Sequence, residues 1–174
     1  MDSLDADGWA KLINSADKTA FHLEMRDQYA VAEEAADVEQ WRTGTWTMEA
    51  DAQSKAFWLE LMRSAHARGV VLRRARIVSP EPGEYIRFEH YGTLNNIDAG
   101  EDVRWLWRTE ASGLALPGND FWVIDGKHVL FNHFTGPGGW LGNTTSDDPA
   151  VARLCSDAFE SVWQLATPHE EFQL

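Results

Sequence analysis

Two sets of polar, mostly charged side chains in the sequence have the composition of a polar binding site or an acid–base site. The first set is His22, Glu24, Arg26 and Asp27. In a strand, alternation would place His22, Glu24 and Arg26 on one face, where they could line a pocket. A solvated strand face, or a structural ion pair with an arginine of another strand, explains the same pattern.

The second set lies at or near the ends of predicted strands and helices, where open α/β sheets bind their ligands. Convergence would create a buried network that either fixes the fold or holds a polar ligand. The arginines suit a carboxylate or a phosphate, which they grip at two points. Arg74 and Arg76 are also the candidate ion-pair partners of the first set. The second set comprises Arg76, Arg87, Glu101, Asp102, Arg104, Asn119 and Asp120.

Recognised motifs for metals, nucleotides or nucleophilic catalysis are missing from the sequence. His128 and His133 are five residues apart and would face opposite sides of a strand, so we expect no shared metal. Cys155 is the single cysteine and lies on an apolar helical stripe, which predicts an inert core thiol. The glycine-rich stretch 136–142 lacks the spacing of a phosphate-binding loop and is interpreted as a mobile loop. We therefore assign no catalytic residue, no metal and no cofactor.

The nine tryptophans allow two interpretations. Trp105 and Trp107 share one face of a predicted strand, and Trp140 lies in the glycine-rich loop. Left partly exposed, they would form an aromatic patch of the kind that marks a protein interface. Burial in the core is the alternative, and it is expected for Trp58, Trp122 and Trp163.

Composition limits the class of protein. A chain of 174 residues with 44% hydrophobic residues fits one globular domain. The formal net charge of −13 disfavours direct contact with nucleic acid or an anionic membrane surface. Residues 1–7 are acidic and unlike a secretory signal, and no apolar run approaches the length of a membrane span. We expect a cytoplasmic protein.

Hydrophobic periodicity predicts the elements that position these residues. Strands are predicted over 21–25, 70–78 and 102–109, followed by a hairpin of 121–125 and 128–134 joined by Asp-Gly. Helices are predicted over 8–16, near 33–43, over 51–68, over 85–91 and from 149 to 166. This order predicts an α/β (α+β) fold in which helices flank a mixed sheet of about five strands with a C-terminal hairpin. Residues 1–20 form an N-terminal segment with a short helix, and 21–174 form a single domain.

Seven segments together resemble an actinobacterial family of unknown function. They occur in the same order and cover nearly the whole chain after residue 20. The resemblance implies a regulatory accessory role, because members of that family are often encoded beside helix-turn-helix regulators of the Cro/repressor type. The segments are HLEMRD (22–27), RRARIV (73–78), EYIRFEHY (84–91), AGEDVRWL (99–106), GNDFWVID (118–125), VLFNHF (129–134) and DPAVARLCSDAFESVWQLATPHEEF (148–172).

The order of elements also resembles, more distantly, one half of a phospholipase-D-like fold, a scaffold used both by phosphodiesterases and by non-catalytic sensor domains. The catalytic form needs His-x-Lys-x-x-x-x-Asp, in which histidine attacks phosphorus and lysine steadies the charge. None of the six histidines has a lysine two positions later. The resemblance therefore implies the scaffold without the catalysis.

Three functional hypotheses follow. The first is a regulatory module that binds a protein partner, such as a helix-turn-helix regulator, or a small anionic ligand through His22, Glu24, Arg26, Arg76, Arg87, Glu101, Arg104, Asp120, Trp105 and Trp107. The second is a hydrolase or transferase that uses Glu24 or Glu101 as the base, with His22 and arginines orienting an anionic substrate. The third is an acidic, antitoxin-like partner of a basic protein.

Overall fold

A mixed sheet organises residues 3–30 and 34–174, which the computed structural model describes. Among these residues the sheet has seven strands in the order β6-β5-β4-β1-β2-β3-β7. The strands β1, β2 and β3 are parallel, and β4, β5 and β6 form an antiparallel meander beside β1. The strands are β1 (Thr19–Glu24), β2 (Val71–Val78), β3 (Glu101–Trp107), β4 (Asp120–Ile124), β5 (His128–Phe134), β6 (Trp140–Ser146) and β7 (Thr167–Pro168).

Helices cover both faces of this sheet. One face packs on α6, where Leu23 and Ala75 of the sheet meet Phe159 and Val162. The opposite face packs on α1 and α4, with α5 beside β3. The helices of the described residues are α1 (Ala6–Asn14), α2 (Ala35–Arg42), α3 (Met48–Ser54), α4 (Ala56–Ala67), α5 (Glu84–Asp98) and α6 (Pro149–Leu165), and a 3-10 turn lies at Glu110–Gly113.

Alternation along the strands decides which side chains meet which helices. Leu23 of β1 enters the core under α6, and His22 and Glu24 therefore project from the other face. The parallel register pairs His22 with Arg74 and Glu24 with Arg76, so the polar residues of β1 and β2 share that face. The predicted alternation is confirmed for His22 and Glu24, whereas Arg26 lies beyond the end of β1.

Local signals account for the hairpin and for the last helix. Asp125 and Gly126 adopt φ values of 52° and 65°, the positive values that the β4–β5 turn requires. Lys127 N donates to Ile124 O at 2.9 Å and closes that turn. Asp148 caps α6 by accepting a hydrogen bond from Ala150 N at 2.8 Å. Both elements lie where the sequence predicts them.

The expected number of about five strands was too low. The sheet gains β6, in the glycine-rich region interpreted as a mobile loop, and the two-residue β7 after α6. These are the two edge strands, and most side chains of β6 are exposed or half-buried. An edge strand needs no apolar alternation, so hydrophobic periodicity does not indicate β6.

Two helix boundaries also differ from the prediction. The helix expected over 85–91 continues through Gly92 to Asp98. A Cβ added at Gly92 would lie 2.5 Å from Asp51 Oδ1, so this glycine allows α3 to approach α5 closely and does not end the helix. The helix expected over 51–68 is divided into α3 and α4 at Lys55, whose φ and ψ are −91° and 11°.

Two further expectations concern the remaining parts of the chain. The helix expected near 33–43 corresponds to α2, and its first expected residue, Glu33, lies outside the described residues. The short N-terminal helix is α1, which packs on α4 and buries Ile13 completely. Within the described ranges, no helix is both long enough and apolar enough to span a bilayer.

Candidate functional site

A continuous chain of ion pairs crosses the sheet face that α1, α4 and α5 cover. Glu24 accepts hydrogen bonds from Arg76 Nε at 2.5 Å and from Arg74 Nη1. Arg76 Nη2 also reaches Glu89 Oε2 of α5 at 2.5 Å, and Arg74 Nε reaches Glu101 Oε2 at 2.7 Å. All five side chains are largely buried, so the three carboxylates and the two guanidinium groups depend on one another for solvation.

Aromatic side chains stand at both ends of this ionic network. At one end, Trp58 Nε1 donates to Glu101 Oε1 at 3.2 Å. At the other end, Tyr85 Oη donates to Glu34 Oε2 at 2.8 Å and lies 3.4 Å from Glu89 Oε1. Two carboxyl groups therefore flank one phenol hydroxyl at this end.

His22 lies beside the network without a hydrogen bond of its own. Its ring stacks on Trp122, with 4.2 Å between the centroids and 15° between the planes. The residue is 7% exposed, and neither ring nitrogen has a hydrogen-bond partner among the described residues. Nδ1 is 3.3 Å from Glu24 Oε1. Burial lowers the pKa of His22 well below its usual value, so the imidazole is neutral at pH 7.

A cavity of about 500 Å³ lies over these residues. This volume is within the range of small-molecule pockets, which combine apolar walls with a few placed polar groups. Four members of the ionic network belong to the polar part of the lining, whereas Glu101 does not. The polar lining residues are Glu24, Arg74, Arg76, Glu89, His22, Glu34, Asp37, Ser54, Lys55, Asn96, Asp120 and Asn132. The apolar part is mainly aromatic, with Trp9, Phe57, Trp58, Phe88, Trp122, Tyr29, Tyr85 and Phe134.

Asp120 lines the cavity and accepts two hydrogen bonds. Its Oδ2 accepts a hydrogen bond from Tyr29 Oη at 2.5 Å, and its Oδ1 accepts one from Met25 N at 2.8 Å. Burial raises the pKa of Asp120 to about 6, although both hydrogen bonds oppose this rise.

The pKa values of Glu34 and Glu24 are shifted in opposite directions. Burial and the neighbouring charge of Glu89 raise the pKa of Glu34 to about 7. Burial alone would also raise the pKa of Glu24, but the charges of Arg76 and Arg74 outweigh it and hold that pKa well below its usual range. Glu24 is therefore ionised at any physiological pH, whereas Glu34 is partly protonated near neutrality.

The structure brings together five of the expected site residues. His22, Glu24, Arg76 and Asp120 line the cavity, and Glu101 lies behind it against Arg74. For Glu24, the alternative of a structural ion pair with Arg74 and Arg76 is what the structure shows.

The remaining expected residues lie elsewhere. Arg26 donates to the backbone oxygens of Thr135 and Gly136 at 2.8 and 2.9 Å, beyond the end of β5. Arg87 is exposed on α5, and Arg104 stacks on Trp163 on the α6 side of the sheet, 4.3 Å from the ring centroid. Among the other polar candidates, Asp27 accepts hydrogen bonds from Ser79 and Arg108. Asp102 and Asn119 are exposed.

The expected aromatic patch needs a correction at Trp105, which is 0% exposed. Phe172 stacks on its ring, and its Nε1 donates to His169 Nδ1 at 3.1 Å, so the C-terminal segment covers it. Trp107 is half-buried against Phe172, and Trp140 is partly exposed.

Several residues of the cavity were not singled out from the sequence. Tyr29, Glu34, Tyr85 and Glu89 come from a loop, the start of α2 and α5, which only the tertiary fold brings together. The sequence could have indicated Glu89 as a site residue, because a carboxylate four residues after Tyr85, on the buried side of a helix, needs a partner. Trp122 is buried as expected, and it also forms a wall of the cavity.

The chain with this fold and this ionic network matches a protein family that has no assigned function. The family model described as "Domain of unknown function (DUF6879)" matches residues 7–174, so the chain belongs to that family. A search of curated proteins gives no significant match.

Among solved structures, one similar chain is TrmBL2, an archaeal chromatin protein whose structure is described as showing a novel mode of DNA binding. The two share 12% sequence identity with a TM-score of 0.49, over 91% of this chain and 49% of that chain. This chain thus spans about half the length of that protein. A similarity of this size carries no argument about function.

Proposed function

We propose that this chain is a non-catalytic regulatory module that binds a small molecule in the cavity of about 500 Å³. One observation carries the proposal: His22, 7% exposed and without a hydrogen-bond partner among the described residues, lines that cavity. An unpartnered buried polar group costs about 1–3 kcal/mol, and a bound molecule with a suitable polar group would recover that cost. The family resemblance predicts a protein partner as well, a helix-turn-helix regulator.

The ionic network supports binding more than catalysis. A general base works best with a pKa near the operating pH. Arg76 and Arg74 hold the pKa of Glu24 far below that range. Glu101 already accepts hydrogen bonds from Arg74 and Trp58. The two carboxylates considered as bases of a hydrolase or transferase are thus engaged in holding the arginines.

The test uses native mass spectrometry of the protein purified from its own host. We expect a retained small molecule on the wild-type protein and its loss in Ser54→Trp, because Ser54 lines the cavity and the indole would fill it. Ser161→Trp is the matched control, since Ser161 is exposed on α6 across the sheet. Wild-type protein without a retained molecule, or equal retention in both variants, would refute the proposal.

A further inference from the structure

Most hydrogen-bond donors of the two cavity arginines are already occupied. Each nitrogen of the Arg74 guanidinium donates to Glu24 or Glu101. Each nitrogen of the Arg76 guanidinium likewise donates, to Glu24, Glu89 or Thr93. An incoming carboxylate or phosphate would find only the few remaining N–H groups, and it would lie beside the carboxylates that already bind the same guanidinium groups.

Negative charge is in excess around the cavity. Its lining holds five carboxyl side chains against three cationic ones, Lys55, Arg74 and Arg76. Lys55 is itself paired with Asp51, with 3.0 Å between Nζ and Oδ1. The charge of the lining therefore favours a positive ligand. The carboxyl side chains are Glu24, Glu34, Asp37, Glu89 and Asp120.

One end of the cavity concentrates this excess. The carboxyl groups of Glu34 and Glu89 both contact Tyr85 Oη, at 2.8 and 3.4 Å, so they lie close to each other. Arg76 compensates Glu89 but makes no contact with Glu34. A cation placed near Glu34 would relieve the repulsion between the two carboxyl groups.

His22 provides an observation independent of the carboxyl groups. Its imidazole is neutral and buried, so one ring nitrogen is an acceptor, and no residue that the structure describes donates a hydrogen bond to it. Nδ1 lies 3.3 Å from Glu24 Oε1 without the geometry of a hydrogen bond, and in the tautomer with its proton on Nδ1 the acceptor is Nε2. A ligand that donates an N–H hydrogen bond would satisfy this atom.

The apolar surface of the cavity consists mainly of aromatic rings. Trp9, Trp58 and Trp122 pack edge to face, with 5.4 to 6.3 Å between their centroids. Tyr29 contacts Tyr85 across the opposite part of the cavity, at 5.8 Å between centroids. Aromatic faces attract ammonium groups and also bury apolar ligand surface.

We infer that the cavity binds an organic ammonium ion, a protonated amine that donates N–H hydrogen bonds and carries an apolar or aromatic body. This inference rests on the proposed function and specifies its ligand class. The ammonium group lies near Glu34 and Glu89, and the body packs against the aromatic rings.

Three probes of matched shape test the charge by isothermal titration calorimetry at neutral pH. They are phenethylamine, phenethyl alcohol and hydrocinnamate, which present a cation, a neutral group and an anion on the same phenyl body. We expect phenethylamine to bind about tenfold more tightly than the alcohol, with hydrocinnamate weakest. Equal or reversed affinities, or no binding of the amine, would overturn the inference.

A charge-neutralising variant locates the ammonium group. Glu34→Gln should weaken phenethylamine about tenfold and leave the alcohol unchanged, because only the charge at this position is lost. Glu60→Gln, on the exposed face of α4, is the matched control and should change neither affinity. An unchanged amine affinity in Glu34→Gln would contradict this placement.

The two proposals fail in distinguishable ways. If host-purified protein retains a molecule that Ser54→Trp loses, while the amine binds no better than the alcohol, the cavity binds a ligand of another class. If neither result appears, the cavity is not a binding site.

Discussion

Replacing Asp120 with asparagine removes one buried carboxyl group and preserves the size of the side chain. In the native protein, Asp120 accepts hydrogen bonds from Tyr29 Oη and Met25 N, and burial raises its pKa from an ordinary 3.8 to about 6. The folded protein therefore holds the proton at pH values where the unfolded chain has already released it. Asparagine has no such titration.

The sign and size of the effect follow from this difference. A carboxyl group whose pKa is raised by folding contributes most to stability below its unfolded pKa, and that contribution is lost as the pH rises through about 6. A rise from 3.8 to about 6 corresponds to about 3 kcal/mol in the free energy of unfolding. Between about pH 4.5 and about pH 7.5, the stability of Asp120→Asn relative to wild type should increase by about 2 kcal/mol.

Urea unfolding followed by tryptophan fluorescence at a series of pH values measures this difference directly. Asp157→Asn, which alters an exposed aspartate of α6, is the control and should show no such trend. Because Glu34 titrates in both proteins, its contribution cancels in the comparison. A constant difference across the pH range, or a decrease towards high pH, would refute the reasoning about burial.

Three further perturbations test the buried ion pairs and the packing of the helices. Glu101→Gln should lower the free energy of unfolding in urea by about 3 kcal/mol, because it leaves the charge of Arg74 partly uncompensated. The control is Asp98→Asn, which removes a surface ion pair and should change the free energy of unfolding by less than about 0.5 kcal/mol. Gly92→Ala should lower the melting temperature, because the added Cβ would lie 2.5 Å from a carboxylate oxygen of α3. Alanine favours helices over glycine, so a higher melting temperature would show that α3 can move away. Cys155 should resist alkylation in the native protein and react fully in denaturant, because it is buried and burial raises its pKa to about 11; rapid native labelling would contradict this.

Much of the fold could be predicted from local patterns. The alternation of β1 and β2 indicates which face carries His22, Glu24, Arg74 and Arg76, because successive side chains of a strand must point to opposite sides. The Asp-Gly pair indicates the β4–β5 turn because few residues tolerate two successive positive φ values. In each case the determining interaction is contained within a few consecutive residues.

The composition of the candidate site depends on contacts between distant residues, and it could be predicted only in part. Glu24 and Arg76 are 52 positions apart and meet through the parallel register of β1 and β2. Arg87 and Arg104 resemble Arg76 in the sequence, yet one lies on an exposed helix face and the other on the α6 side of the sheet. Residue type and position near the end of an element do not determine which face of the molecule a side chain occupies.

The sequence by itself determined the local elements, their order and the polar faces of β1 and β2, because hydrogen bonding within short segments and hydrophobic alternation are properties of neighbouring residues. Only the tertiary structure decided that Glu89 of α5 and Glu101 of β3 would compensate the two buried arginines. Among the described residues, it also left His22 without a hydrogen-bond partner, beside a cavity rich in carboxyl groups. The physical reason is that burial and charge compensation depend on which distant segments pack together, and that packing is settled by the whole core at once.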